Sequence, residues 1–154
     1  MTEEQQSRKL GGTGWNIWRG VIGVSYLAAA AFNLFFTLPR GDLLPFAEMA
    51  WSPILADFVR EVVQPNSQLF IVLVVAFELA VAAFIFSRGR LVDMGVGASV
   101  LWVLFLIPFL QPFPMAATNV VLAIVQGILL FRRYDTTIWG LVRNRFSART
   151  ERRP

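Results

Sequence analysis

Polar residues break the chain into four long apolar runs. The first extends from about Trp15 to Leu38, the second from about Gln68 to Ser87, the third from about Leu91 to Leu110, and the fourth from about Pro114 to Phe131. Each approaches or passes about 20 residues, the length of helix that crosses a hydrocarbon core roughly 30 Å thick. The breaks between them have turn chemistry. Pro39, Arg40 and Gly41 end the first run, and Ser87 to Arg90 (SRGR) is a tight loop. The turn QPFP, Gln111 to Pro114, leads into the fourth run and leaves Pro114 in a first turn, where its missing N–H costs little. Asn66 or Ser67 is placed to accept from the first free N–H groups of the second run. The pattern predicts an all-α fold, an integral membrane four-helix bundle over residues 14–134. It is flanked by a polar tail over 1–13 and a basic juxtamembrane tail over 135–154.

The connection from Gly41 to Ser67 has a pattern of its own. Ser52 and Pro53 read as a helix cap and a first-turn proline. Ile54, Leu55, Phe58, Val59, Val62 and Val63 then recur on one side at helical spacing, with Asp57, Arg60, Glu61 and Gln64 on the other. Pro65 is expected to stop this helix. At about three turns it is too short to span, so the sequence predicts an amphipathic helix in the outer interface, between spans one and two. It either caps the bundle or merely orders a loop. The C-terminal tail repeats the idea, with Ile138, Leu141, Val142 and Phe146 facing lipid and the arginines meeting headgroups.

Composition narrows the chemistry. The chain is 56% hydrophobic and 16% charged, too apolar to cover the surface of a soluble domain of 154 residues. Cysteine and histidine are absent, which removes disulfides, thiolate metal sites, His-ligated metals and the commonest general base within this chain. Twelve of the fourteen Lys and Arg flank the runs on the side that holds both termini and the SRGR loop; only Arg40 and Arg60 fall on the other. The positive-inside rule therefore places both termini in the cytoplasm. The net charge of +4 points to anionic lipid headgroups rather than nucleic acid, because the arginines border apolar spans. The run from Val21 to Leu38 exceeds a signal-peptide core, and no small-x-small site follows it, so the first run is expected to remain as a span.

A few polar residues interrupt the runs. Glu78 sits near the middle of span two, where an acidic residue costs roughly 2.5–3.5 kcal/mol. Protonation or a partner lowers that cost. Sorted by depth, Arg19 and Gln126 form an inner layer, Glu78 the centre, and Asn33 and Asn119 an outer layer; Tyr26 lies near Glu78 and is placed to donate to it. Each has a plainer role beside a ligand-binding one. Arg19 either snorkels to headgroups or faces the interior. The amides either tie helices together or line a pocket. Ala76, Ala80 and Ala83 on span two, and Gly95, Gly97, Ala98 and Ser99 on span three, are small residues suited to close helix packing. No metal-ligand set, nucleophile–base pair or nucleotide motif is present.

Three stretches resemble the DoxX-like family of small membrane proteins: WNIWRGVIGVSYLAAAAFNL (Trp15 to Leu34), FELAVAAFIFSRGR (Phe77 to Arg90) and TNVVLAIVQGILLFRRYD (Thr118 to Asp135). The resemblance covers residues 15–135. It implies a four-span fold in a bacterial or archaeal plasma membrane. For some members it implies association with quinone-linked oxidation of sulfur compounds or with membrane oxidoreductase assemblies. Arg19 and Glu78 are the polar positions that carry over. Asn33 departs from the family, which often has Gly and Lys late in span one.

Three readings follow. In the first, the chain is an accessory subunit of a membrane redox assembly, with no activity of its own, whose interior binds a quinone or similar lipophilic ligand at Glu78, Arg19, Tyr26, Asn33, Asn119 and Gln126. In the second it is a structural subunit packing against other membrane proteins or against copies of itself. In the third, least favoured because four spans are few, it is a minimal transporter or proton pathway.

Overall fold

The structure, a computed structural model, describes residues 12–140 and the backbone of Lys9 and Leu10. Four helical runs are long and apolar enough to cross a membrane: Thr13–Arg40, Pro53–Phe86, Arg90–Phe109 and Phe113–Phe131. Their ends fall within about two residues of the sequence-based limits, except that the second begins much earlier. The chain is an all-α, multi-pass membrane four-helix bundle.

Span one is α1 (Thr13–Phe32) continued by a π-helical segment, Asn33–Thr37, and a last turn, Leu38–Arg40. Gly41 then adopts φ 61°, the left-handed conformation that closes a helix and that glycine takes without strain. Two short helices follow, α2 (Leu44–Glu48) and α3 (Pro53–Phe58). Ser52 caps α3 by accepting from the Leu55 N–H, and Pro53 occupies its first turn, both as predicted.

Pro65 does not stop this helix. α3 passes through a π-helical segment, Val59–Val63, and a 3₁₀ turn, Gln64–Asn66, directly into α4 (Ser67–Phe86). Proline lacks an N–H, and the 3₁₀ turn absorbs that gap without ending the run. Asn66 consequently has no open helix end to cap, and its Nδ2 donates back to the Val62 carbonyl. A straight helix of the 34 residues Pro53–Phe86 would be roughly 50 Å long, well beyond a bilayer core. The run bends instead: Trp51, just before α3, donates its backbone N–H to the Pro108 carbonyl and its indole N–H to the Leu110 carbonyl, so α3 lies across the end of span three. The face expected to be apolar divides in two. Val59 is buried with Ala47, Ala56 and Phe109, whereas Ile54, Phe58 and Val62 are exposed and free to meet lipid.

Spans three and four are α5 (Arg90–Leu106) and α6 (Phe113–Gly127), each ending in a 3₁₀ turn, Ile107–Phe109 and Ile128–Phe131. Each span packs along the next in sequence. Lipid and apolar side chains are about equally apolar, so association rests on close packing. Gly95 supplies the closest approach: a Cβ there would fall 2.8 Å from Phe84 Cβ and 2.9 Å from the Ile85 nitrogen. Gly97, from the same small-residue cluster, faces open space. The main core joins all four spans through Ile22, Tyr26, Val81, Ile85, Val96 and Leu129.

After α6 the chain becomes extended. Arg132–Arg133 (β2) pairs in parallel with Lys9–Leu10 (β1), a two-residue contact that the helical pattern does not predict. Ile138 lies near Gly20 and Trp139 against the Phe86 ring; Leu141, Val142, Phe146 and the arginines beyond lie outside the described residues.

Candidate functional site

Span one carries Arg19, Tyr26 and Asn33 at intervals of seven residues, which places them along one face about 10 Å apart. Each reaches a different neighbour. The depth-sorted polar residues therefore form three separate layers rather than one pocket.

The layer furthest from the arginine-rich end holds Glu78. Asn33 Nδ2 donates to both carboxylate oxygens, at 3.1 Å to Oε1 and 3.0 Å to Oε2. The Asn33 Oδ1 in turn accepts from the Thr37 hydroxyl at 3.0 Å. Glu78 is 4% exposed, and among the described residues no cation pairs with it. Asn33 opens the π-helical segment and Thr37 closes it. A π-turn inside an α-helix widens the backbone locally and is frequent at functional sites. Asn33 and Thr37 are half-buried, and the neighbouring Phe32, Leu34, Phe35 and Phe36 are exposed on the surface that faces lipid. A chain of polar groups thus leads from the buried carboxyl to the rim of span one.

The middle layer is Tyr26, Ser99 and Gln126. Tyr26 does not donate to Glu78, as its depth predicts; its hydroxyl donates to the Ser99 carbonyl at 3.3 Å. Gln126 does not join Arg19. Its Oε1 lies 2.8 Å from Ser99 Oγ, which is also 2.7 Å from the Val96 carbonyl. One hydroxyl proton cannot serve two acceptors. Turning the Gln126 amide over lets Nε2 donate to Ser99, which then donates to Val96. With all its members paired, this layer cross-links spans one, three and four. Ser99 is its hub, in a role the small-residue reading does not give it. The one sequence signal for it is a hydroxyl in the middle of an apolar run.

Arg19 forms the third layer. It is fully buried and does not snorkel. Its Nη1 donates to the Ser87 carbonyl at 3.4 Å and its Nη2 to the Thr136 carbonyl at 3.0 Å. Its guanidinium carbon lies 4.6 Å from the Tyr134 ring centroid, a cation–π contact. It thereby joins span one to the loop after span two and to the segment after span four. Asn119, the last predicted site residue, donates to the Val103 carbonyl at 3.3 Å and ties span four to span three.

The structure thus brings Asn33 to Glu78, adds Thr37, and sends Arg19, Tyr26, Asn119 and Gln126 elsewhere. Among the described residues no group of acidic side chains is arranged to hold a metal ion. Neither protein-family models, nor curated proteins, nor solved structures give a match to this chain.

Proposed function

We propose that this chain is a DoxX-like accessory subunit of a membrane redox assembly, and that the Glu78–Asn33–Thr37 cluster receives the polar head of a quinone or similar lipophilic molecule. The observation that carries this reading is a buried mid-span carboxyl that, among the described residues, is held by a neutral amide and by no cation. A purely structural acid in this position is most economically paired with a cation. An acid backed only by an amide retains hydrogen-bonding capacity for a carbonyl or hydroxyl head group. The polar path through Asn33 and Thr37 to the lipid-facing rim of span one gives such a molecule a lateral route in. Electron transfer itself would belong to partner subunits, since this chain offers no cysteine or histidine ligand. The arrangement of its cations favours both termini on the cytoplasmic side, and the DoxX-like resemblance favours a prokaryotic plasma membrane.

The test is a binding titration of the detergent-solubilised protein with a short-chain quinone, followed through quenching of its tryptophans. Native protein is expected to bind, and Glu78→Gln and Asn33→Leu to weaken binding by about tenfold or more, the loss of one or two hydrogen bonds from a buried site. Equal binding by all three proteins would remove the reading.

A second reading, a structural subunit of a larger complex, has its own support. Ala76, Ala80 and Ala83 are exposed along span two, a smooth strip left unused by the chain's own packing. Co-purifying partners lost on Ala80→Phe, with Glu78→Gln tolerated, would favour it.

A further inference from the structure

Three buried polar atoms gather where span one meets the segment after span four, and none has a hydrogen-bond partner: Arg19 Nε, Arg132 Nε and the Tyr134 hydroxyl. Their placement follows from two periodicities. Trp15 and Arg19 lie one turn apart on the same face of α1. Arg132 and Tyr134 lie on the same side of an extended segment, where side chains alternate. The two pairs stack reciprocally, with Arg19 over Tyr134 at 4.6 Å and Arg132 over Trp15 at 4.7 Å. The result is a compact group of two guanidinium ions and a phenol. Gly89 N donates to the Tyr134 carbonyl at 2.7 Å, which brings the loop bearing Arg88 and Arg90 alongside.

Among the described residues, this group holds no negative charge of its own. Among the described residues no carboxylate pairs with Arg19 or Arg132. Arg133 is paired with Asp135 at 2.9 Å. Asp93 lies within electrostatic reach of Tyr134. Buried donors without partners are rare, and buried cations without counter-charge are costly. We propose that this end of the bundle is a binding site for a phosphate group, held by Arg19, Arg132 and Tyr134.

A phosphate offers several acceptor oxygens in a tetrahedral array, so donors can converge on it from different directions, and arginine matches its geometry. A water molecule would satisfy one or two donors but leave both charges uncompensated. Arg19 and Tyr134 are closed off, whereas Arg132 and Arg133 are half-buried and Arg88 and Arg90 exposed. The phosphate therefore enters from the Arg132 side and meets the buried donors behind it. The group lies at the ends of apolar spans beside Trp15 and the exposed Trp139, the depth of lipid headgroups. A phospholipid headgroup and a free phosphate share the chemistry.

Native mass spectrometry of the full chain in mild detergent distinguishes them. One arm adds phosphatidylglycerol or phosphatidylcholine, and another adds inorganic phosphate with the thermal midpoint as readout. Native protein is expected to retain phosphatidylglycerol over phosphatidylcholine, and Arg132→Gln and Tyr134→Phe each to reduce that retention by about tenfold, as loss of a charge-assisted hydrogen bond does. Tyr134→Phe keeps or raises its lipid-free thermal midpoint, because its buried hydroxyl has no hydrogen-bond partner within the protein. If inorganic phosphate raises the midpoint of native protein and displaces the lipid, the site serves soluble phosphate. Retention unchanged in both variants would overturn the proposal. So would native protein that shows no preference between the lipids and no midpoint shift with phosphate.

Discussion

Asn33 places one amide nitrogen 3.0 and 3.1 Å from the two oxygens of Glu78, across 45 residues of sequence and from one span to the next. The contact converts an isolated mid-span acid into a tie between spans one and two, and Thr37 fixes the amide by donating to its oxygen. Which way the amide faces is therefore decided within span one. Glu78 depends on Asn33 more than Asn33 depends on Glu78.

That asymmetry predicts a specific thermodynamic pattern. Asn33→Leu leaves a buried carboxyl without a partner and should destabilise by about 1–3 kcal/mol. The double variant Asn33→Leu with Glu78→Leu removes both polar groups and should be more stable than Asn33→Leu alone. Thermal unfolding in detergent checks the order of the two. A double variant less stable than the single one would show that Glu78 has another partner.

Spans two and three depend on the absence of a side chain at Gly95. Gly95→Ala should cost about 1–3 kcal/mol, because its Cβ would meet backbone as well as side chain. Gly97→Ala, two residues on and facing open space, should be neutral or stabilising by up to about 1 kcal/mol from helix propensity. Paired melting curves separate the two positions.

Arg19 closes the arginine-rich end with a fork that spans two carbonyls. Lysine keeps the charge but not the fork. Arg19→Lys should therefore loosen the Ser87–Arg90 loop, and limited trypsin digestion at Arg88 and Arg90 should be several-fold faster than in native protein. Cleavage at the native rate would mean that the loop is held by other contacts.

Tyr134 gives the fold an alkaline limit. Burial pushes its hydroxyl up to about 12; Asp93 adds to the rise, and Arg19 and Arg132 oppose it. The unfolded chain releases this proton near the ordinary tyrosine value of about 10, so the stability tied to it is complete below that pH and is lost as pH rises towards 12. The stability of Tyr134→Phe should fall less steeply than that of native protein between pH 10 and 12, as read by thermal unfolding across that range.

The spans were legible because length and hydropathy alone decide them, and Ser52 with Pro53 marks a helix start by local chemistry. The site was legible only in part. Depth along a span follows from counting residues, which sets Glu78 near mid-span but puts Gln126 in the layer of Arg19 and Tyr26 in that of Glu78, whereas the two meet at Ser99. Which neighbour a side chain meets depends on helix rotation, and counting does not supply that. Tyr26 accordingly turns to Ser99, and Arg19 to Ser87 and Thr136. Residue counting sets Asn33 one layer out from Glu78, yet the two meet where the helix widens into its π-helical segment. Thr37 has one sequence signal, its position four residues after Asn33, which places the two on one face. Pro65 signals a helix stop by sequence, but the 3₁₀ turn Gln64–Asn66 accommodates it and the helical run continues.

The seven-residue interval of Arg19, Tyr26 and Asn33 has a mechanical consequence. These three residues engage the two loop segments, span three and span two respectively, so one helix face is fixed against four segments at three heights. Turning span one by a single residue, about 100°, would break every one of these contacts together, as would sliding it by one turn. No partial displacement preserves one layer at the expense of another. Span one therefore has a single seat in the bundle, and any opening at Glu78 has to come from spans two to four moving around it.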